Sequence, residues 1–138
     1  MPLRASLRRF KAELFKALAH PARVHILELL RQGEMTVSEL QLRLEIDGSS
    51  VSQHLAILRS HQVVQARKDG TSVYYRVDAG EFFTILDAAR AIFEAQVHDL
   101  QDALDADRGD QSRSLRVAAP VPSRTPSRTP SRRQRSAR

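Results

Sequence analysis

The sequence changes its hydrophobic period once. Val64-Gln-Ala-Arg-Lys68 and Ser72-Val-Tyr-Tyr-Arg-Val77 read as two short strands around an Asp69-Gly70 hairpin signal. On both sides of this stretch, apolar residues recur at the three- to four-residue spacing of amphipathic helices. Leu7, Phe10, Leu14, Phe15 and Leu18 predict a first helix over roughly 6–18. Pro21 suits the first turn of a second helix, whose stripe Val24, Leu27 and Leu30 runs to about Arg31 before Gly33 stops it. Thr36-Val-Ser-Glu39 is a capping box. It opens a short third helix with Val37, Leu40 and Leu44 facing inward. Asp47 is placed to cap a fourth helix over about 48–60. After the hairpin, Asp78-Ala-Gly-Glu81 resembles a second capping box and opens a last helix to about Leu104. A short helix, a tight turn, a second helix and then a hairpin is the winged helix-turn-helix arrangement. The expected class is therefore mainly α (α+β), with a two-stranded β-hairpin wing and terminal dimerisation helices.

The 138 residues make one domain by size, and 41% apolar content is enough for a core. The absence of cysteine removes disulfides, thiolate metal sites and cysteine nucleophiles. It also fits a reducing cytosol. No apolar run is long enough to span a bilayer, and the first residues lack the apolar stretch of a signal peptide, so a cytoplasmic protein with no membrane partner is expected. The net charge of +6 is unevenly placed. Met1–Asp105 holds 13 basic and 14 acidic residues, whereas Ala106–Arg138 holds nine arginines and two aspartates. The second segment contains tandem Pro-Ser-Arg-(Thr/Arg) copies starting at Pro122, Pro126 and Pro130. Few of its side chains could build a core, so residues 106–138 are expected to be a disordered Arg/Pro/Ser-rich basic tail behind a domain of residues 1–105.

The segments ALAHPARVHILELL (17–30), VSELQLRL (37–44), SSVSQHLAILR (49–59) and ARKDGTSVYYRV (66–77) together resemble the ArsR/SmtB bacterial repressors. The resemblance covers about residues 12–105, and the linked order of the motifs makes it specific. It implies a homodimer that binds a near-palindromic operator in double-stranded DNA and responds to a metal or another small signal. Relatives commonly carry a glycine just after the recognition helix, where this chain reads Arg59-Ser-His-Gln-Val63, and a turn glycine where Glu45 stands. A left-handed cap after that helix would then fall on His61 or Gln62.

The fourth helix is the expected reading element. Each helical residue advances by about 100°. Val51, Leu55 and Leu58 then share one stripe, and Ser49, Gln53, Ala56 and Ser60 lie opposite. That small polar face fits a major groove. Ser49 and Ser50 can reach bases or phosphates, and Gln53 can pair with adenine N6 and N7. Serines that merely cap the helix are the plainer reading. Ser52 lies between faces, with packing and phosphate contact both open. His54 flanks the buried stripe, which suits packing or phosphate contact better than base readout. Arg59 is either a phosphate contact or a charge at the helix C-terminus. In the wing, Arg67, Lys68, Thr71 and Ser72 suit backbone or minor-groove contact. One of Tyr74 and Tyr75 should pack inward.

Phe82, Phe83, Ile85, Leu86, Ala89, Ile92, Phe93, Val97, Leu100 and Leu104 exceed the one stripe that the last helix needs. The first helix has spare apolar residues too, so a two-fold dimer through the terminal helices is expected. The family's thiolate metal site is replaced by Glu34-Met-Thr36-Val-Ser38. A second family site, on the last helix, is incomplete in either alignment frame. Asp87, His98, Asp99 and Asp102 could form a partial oxygen/nitrogen site across the dimer, but ordinary polar residues on an exposed helix face are the favoured reading. No metal, cofactor or catalytic residue is expected, because the sequence has neither a phosphate-cradling loop nor a catalytic constellation. The alternative to a DNA-binding regulator is a winged-helix protein-interaction module with an anion- or RNA-binding tail.

Overall fold

A computed structural model of the chain describes residues 2–117. The elements in order are α1 (Pro2–Leu18), α2 (Pro21–Leu30), β1 (Met35–Thr36), α3 (Val37–Leu44), α4 (Gly48–Ser60), β2 (Gln65–Asp69), β3 (Ser72–Arg76) and α5 (Glu81–Val117). The chain divides into two compact units, Met1–Ala95 and Gln96–Arg138. Among the described residues no helix is long and apolar enough to cross a membrane.

Local chemistry accounts for the helix ends. The His20 side chain accepts from the Ala22 amide and caps α2, which carries Pro21 in its first turn. After α2, Gly33 has φ +146°, a conformation that side-chain-bearing residues avoid. The capping box at α3 is complete: the Glu39 amide donates to Thr36 Oγ1 and the Thr36 amide donates to Glu39 Oε2. Glu45 ends α3 in the left-handed conformation, with φ 56°. After α4 it is Gln62, with φ 58°, that takes the left-handed position, while His61 at φ −98° does not.

The core lies where α2, α3 and α4 meet, closed by the end of α1 and by Val63 and Val64. Ile26, Leu27, Leu40, Val51, Leu55, Leu58, Val63 and Val64 are at most 1% exposed, and no polar side chain is buried among the described residues. Burial of each such side chain contributes about 1.5–3 kcal/mol. The α2 stripe is wider than the periodicity suggests. Ile26 and Leu29 are also buried, whereas Val24 is only half-buried. Tyr75 packs against the core, as expected of one of the two tyrosines.

Three features differ from the sequence-based expectation. The two-stranded wing is present as β2 and β3, but a third short strand, β1, joins it in the order β1-β3-β2, antiparallel throughout. Met35 and Thr36 pair with Tyr75 and Tyr74. The hairpin turn is also centred one residue later than the Asp-Gly signal suggests. Asp69 pairs with Ser72, leaving Gly70 and Thr71 as the loop, and only Gly70 has a positive φ, at 59°. Glycine at the first of two loop positions is the type II′ pattern. Finally, α5 continues to Val117, so residues 106–117 are helical rather than part of a disordered tail. The remainder of that expected tail lies outside the described residues.

Candidate nucleic-acid interface

The fourth helix begins at a well-organised cap. Asp47 Oδ1 accepts from the Ser50 amide and from Ser49 Oγ, both at 2.8 Å, and Asp47 Oδ2 accepts from Ser50 Oγ at 2.8 Å. The Ser50 amide, the Ser50 hydroxyl and the Ser49 hydroxyl, in that order, pull the Asp47 carboxyl down to about 2. Both hydroxyls donate to Asp47, so each serine oxygen keeps only its acceptor capacity for a further partner.

Beyond the cap, the two faces of α4 separate as the angles require. Val51, Leu55 and Leu58 are buried, whereas Ser49, Ser52, Gln53, Ala56, Arg59 and Ser60 are exposed and Ser50 is half-buried. Ser52, Ala56 and Arg59 line a depression of about 330 Å³ with Tyr75 of β3. The half-buried His54 turns toward α2. Its ring centroid lies 4.4 Å from that of His20, and its Nδ1 lies 3.5 Å from Arg23 Nη1. Burial first, then the positive fields of His20 and Arg23, hold the His54 imidazole below its ordinary value.

In the wing, Lys68 and Thr71 are exposed at the hairpin tip. Arg67 is exposed but engaged by neighbouring side chains. Its Nη2 lies 2.7 Å from Glu34 Oε2, its Nη1 lies 3.6 Å from Asp69 Oδ2, and its guanidinium sits 4.9 Å over the Tyr74 ring. The hydrogen bond to Glu34 is the main cause of the raised Arg67 pKa, and the same bond lowers the Glu34 carboxyl. Lys68 and Arg59 have no ion-pair partner among the described residues. Nothing in the sequence marks Glu34, His20 and Arg23 as partners of site residues. Only the folded chain brings them to Arg67 and His54.

Within the single chain, several residues in the family's metal positions are engaged by other protein groups. Thr36 Oγ1 is occupied by the capping box. Asp87 is paired with Arg31 through both carboxylate oxygens, at 2.6 and 2.9 Å. His98 lies 2.9 Å from Asp102 on the exposed surface of α5. Among the described residues no group of three His, Cys, Asp or Glu side chains is placed to hold an ion.

A polar helix face presented beside a sheet-borne wing is the working surface of a winged helix-turn-helix regulator. The family described as bacterial regulatory protein, arsR family, matches residues 20–66. The chain is 40% identical over 94 residues to the uncharacterized HTH-type transcriptional regulator Rv0081 of Mycobacterium tuberculosis, covering 67% of this chain and 82% of that one. It is 37% identical over 89 residues to the biofilm growth-associated repressor of Agrobacterium fabrum, covering 64% and 76%. The crystal structure of Rv0081 superimposes with a TM-score of 0.62, at 40% identity, over 67% of this chain and 94% of that chain. The solution structure of a homodimeric winged helix-turn-helix DNA-binding domain from Mycobacterium bovis gives 0.60, at 31% identity, over 65% and 83%. The chain belongs to the arsR family of winged helix-turn-helix transcriptional regulators.

Proposed function

We propose that the protein is a homodimeric transcriptional repressor that binds a near-palindromic operator, with α4 in the major groove and the β2–β3 wing on the flanking backbone or minor groove. It acts by binding, not catalysis, on duplex DNA in the cytoplasm. The observation that carries this reading is the outer face of α4: Ser49, Ser52, Gln53 and Ala56 are small or polar and exposed, backed by a fully buried apolar stripe. An acidic face would be repelled by the phosphates that border a groove. Gln53 is the base reader, bidentate to adenine. With their protons given to Asp47, Ser49 and Ser50 act as acceptors for base amino groups. A phosphate there would meet the Asp47 charge. Ser52, His54, Arg59, Arg67, Lys68 and Thr71 contact the backbone. Arg67 must first exchange Glu34 for phosphate, so Lys68 and Arg59 supply the readier charges.

The dimer reading is supported by apolar residues left uncovered in the single chain. On α1, Leu7, Phe10 and Phe15 are 50–63% exposed. On α5, Ile92, Phe93, Leu100 and Leu104 are 51–65% exposed. A second copy would cover such faces and set two α4 helices on successive turns of DNA. The basic segment after Val117 supplies further phosphate contacts without reading bases. A small-molecule effector fits the family pattern, but the occupied side chains described above speak against a metal. The test is Gln53→Ala. This variant should relax preference at one position per half-site and cost about 1–3 kcal/mol of specific affinity. Unchanged affinity and footprint would remove Gln53 from the reading face.

A further inference from the structure

Three nitrogen-bearing side chains meet at the flank of α4 with no carboxylate among them. His20 stands at the start of α2, Arg23 lies within its first turn, and His54 comes from α4. The Arg23 guanidinium is oriented by two backbone carbonyls at the end of α1, donating to the Ala17 oxygen at 2.7 Å and to the Lys16 oxygen at 3.5 Å. Its Nη1 is 3.5 Å from His54. His20 Nδ1 accepts from the Ala22 amide, so the proton of the neutral ring sits on Nε2. The two rings are 4.4 Å apart between centroids. His20 is exposed, and Arg23 and His54 are half-buried.

Such a cluster repels itself when protonated. The charged groups acting on His54 are His20 and Arg23, and no charged group of α1 or α3 is among them. An anion at this corner would relieve the repulsion and favour the charged imidazole. His54 lies about 100° around α4 from Gln53, on the flank of the outer face rather than at its centre. A strand bordering a groove entered by Gln53 passes along that flank.

We propose that His20, Arg23 and His54 form a binding site for a phosphodiester of the DNA backbone, and that the His54 imidazole takes up a proton as the phosphate arrives. This rests on the reading of α4 as the DNA-binding helix. In the free protein His54 is held toward its neutral form. In the complex the phosphate raises its affinity for a proton. Binding therefore consumes protons, and affinity rises as pH falls through the histidine range. Each proton taken up changes the dissociation constant by at most about tenfold per pH unit.

The experiment uses the full chain and a duplex that the protein itself selects from a random pool. Affinity is measured at fixed ionic strength near pH 6 and near pH 8, within the span where histidine titrates. The ring-proton signals of His20 and His54 are titrated with and without the duplex. The expected result is several-fold tighter binding at the lower pH, with the His54 titration moved upward by DNA. His54→Gln should flatten the pH profile and weaken binding to all duplexes alike. His20→Asn, which keeps an acceptor for the α2 cap but removes the ring N–H, should weaken binding to all duplexes and leave a pH dependence. Gln53→Ala should keep the slope of the profile while base preference relaxes at one position per half-site. A flat wild-type profile on a duplex bound with clear sequence preference would overturn the proposal and leave the reading of α4 standing. So would a pH gain that survives in the double variant of His20 and His54, or a His54 titration unmoved by DNA in the unaltered chain. An upward shift of His54 with inorganic phosphate alone, and none with DNA, would assign a free-anion site instead and overturn it. No binding to any duplex at either pH would remove both readings together.

Discussion

Asp47 gathers three hydrogen bonds at the point where α4 begins, and this fixes how the reading helix is entered. Those bonds favour its ionised form, which lowers its pKa from 3.8 to about 2. A folded-state value below the unfolded one gives stability that is fully present above the unfolded value. It disappears as pH falls toward the folded value. Thermal unfolding of the wild type should therefore move to lower temperature more steeply between about pH 4 and pH 2 than that of Asp47→Asn, which keeps an acceptor for the Ser50 amide. Equal slopes in a circular dichroism series would contradict this role. Asp47 is legible as a cap because the cap and the residues it serves are adjacent in sequence. So is the strain of a missing glycine, since only His61 or Gln62 could take the left-handed position, and Gln62 does. The partners of Arg67 and His54 are not legible. Glu34 lies 33 residues from Arg67, and Arg23 lies 31 from His54, so neither pair has a local signature.

At the scale of elements, periodicity locates each helix and the hairpin but misses what carries no period. Met35–Thr36 is too short to alternate, and Thr36 serves two structures at once, pairing with Tyr74 and capping α3. The capping box is a strong local signal and hides the strand. In the hairpin, Asp69-Gly70 indicates a turn correctly, but the pairing of Asp69 with Ser72 leaves Gly70-Thr71 as its centre. The expected end of the last helix at Leu104 falls short because the residues after it carry no continuous apolar stripe. Pairs within one turn run along that stretch, with Arg108 3.9 Å from Asp105 and Gln111 3.1 Å from Asp107. Each such pair adds about 0.2–0.5 kcal/mol to a helix. A switch from apolar stripe to polar pairing looks, in sequence alone, like the end of the element.

At the scale of the whole molecule, charge and apolar surface divide the work. Residues 118–138 hold six arginines and no acidic residue, so residues 1–117 are left near neutral. Truncation after Val117 should preserve operator preference and weaken affinity for all DNA. It should also flatten the plot of log affinity against log salt by about 0.9 for each phosphate no longer neutralised. Identical slopes for the full and shortened chains would remove that segment from DNA binding. The central claim is that two copies of this chain present their α4 faces to one symmetric site. Its most direct test is selection by the full chain from a pool of random duplexes, with the mass of the complex measured by light scattering. The expected result is a dimer enriching a near two-fold-symmetric sequence, with half-site centres one helical turn apart, about 34–36 Å. A pool without enrichment, or a monomer bound to a single asymmetric element, would contradict it.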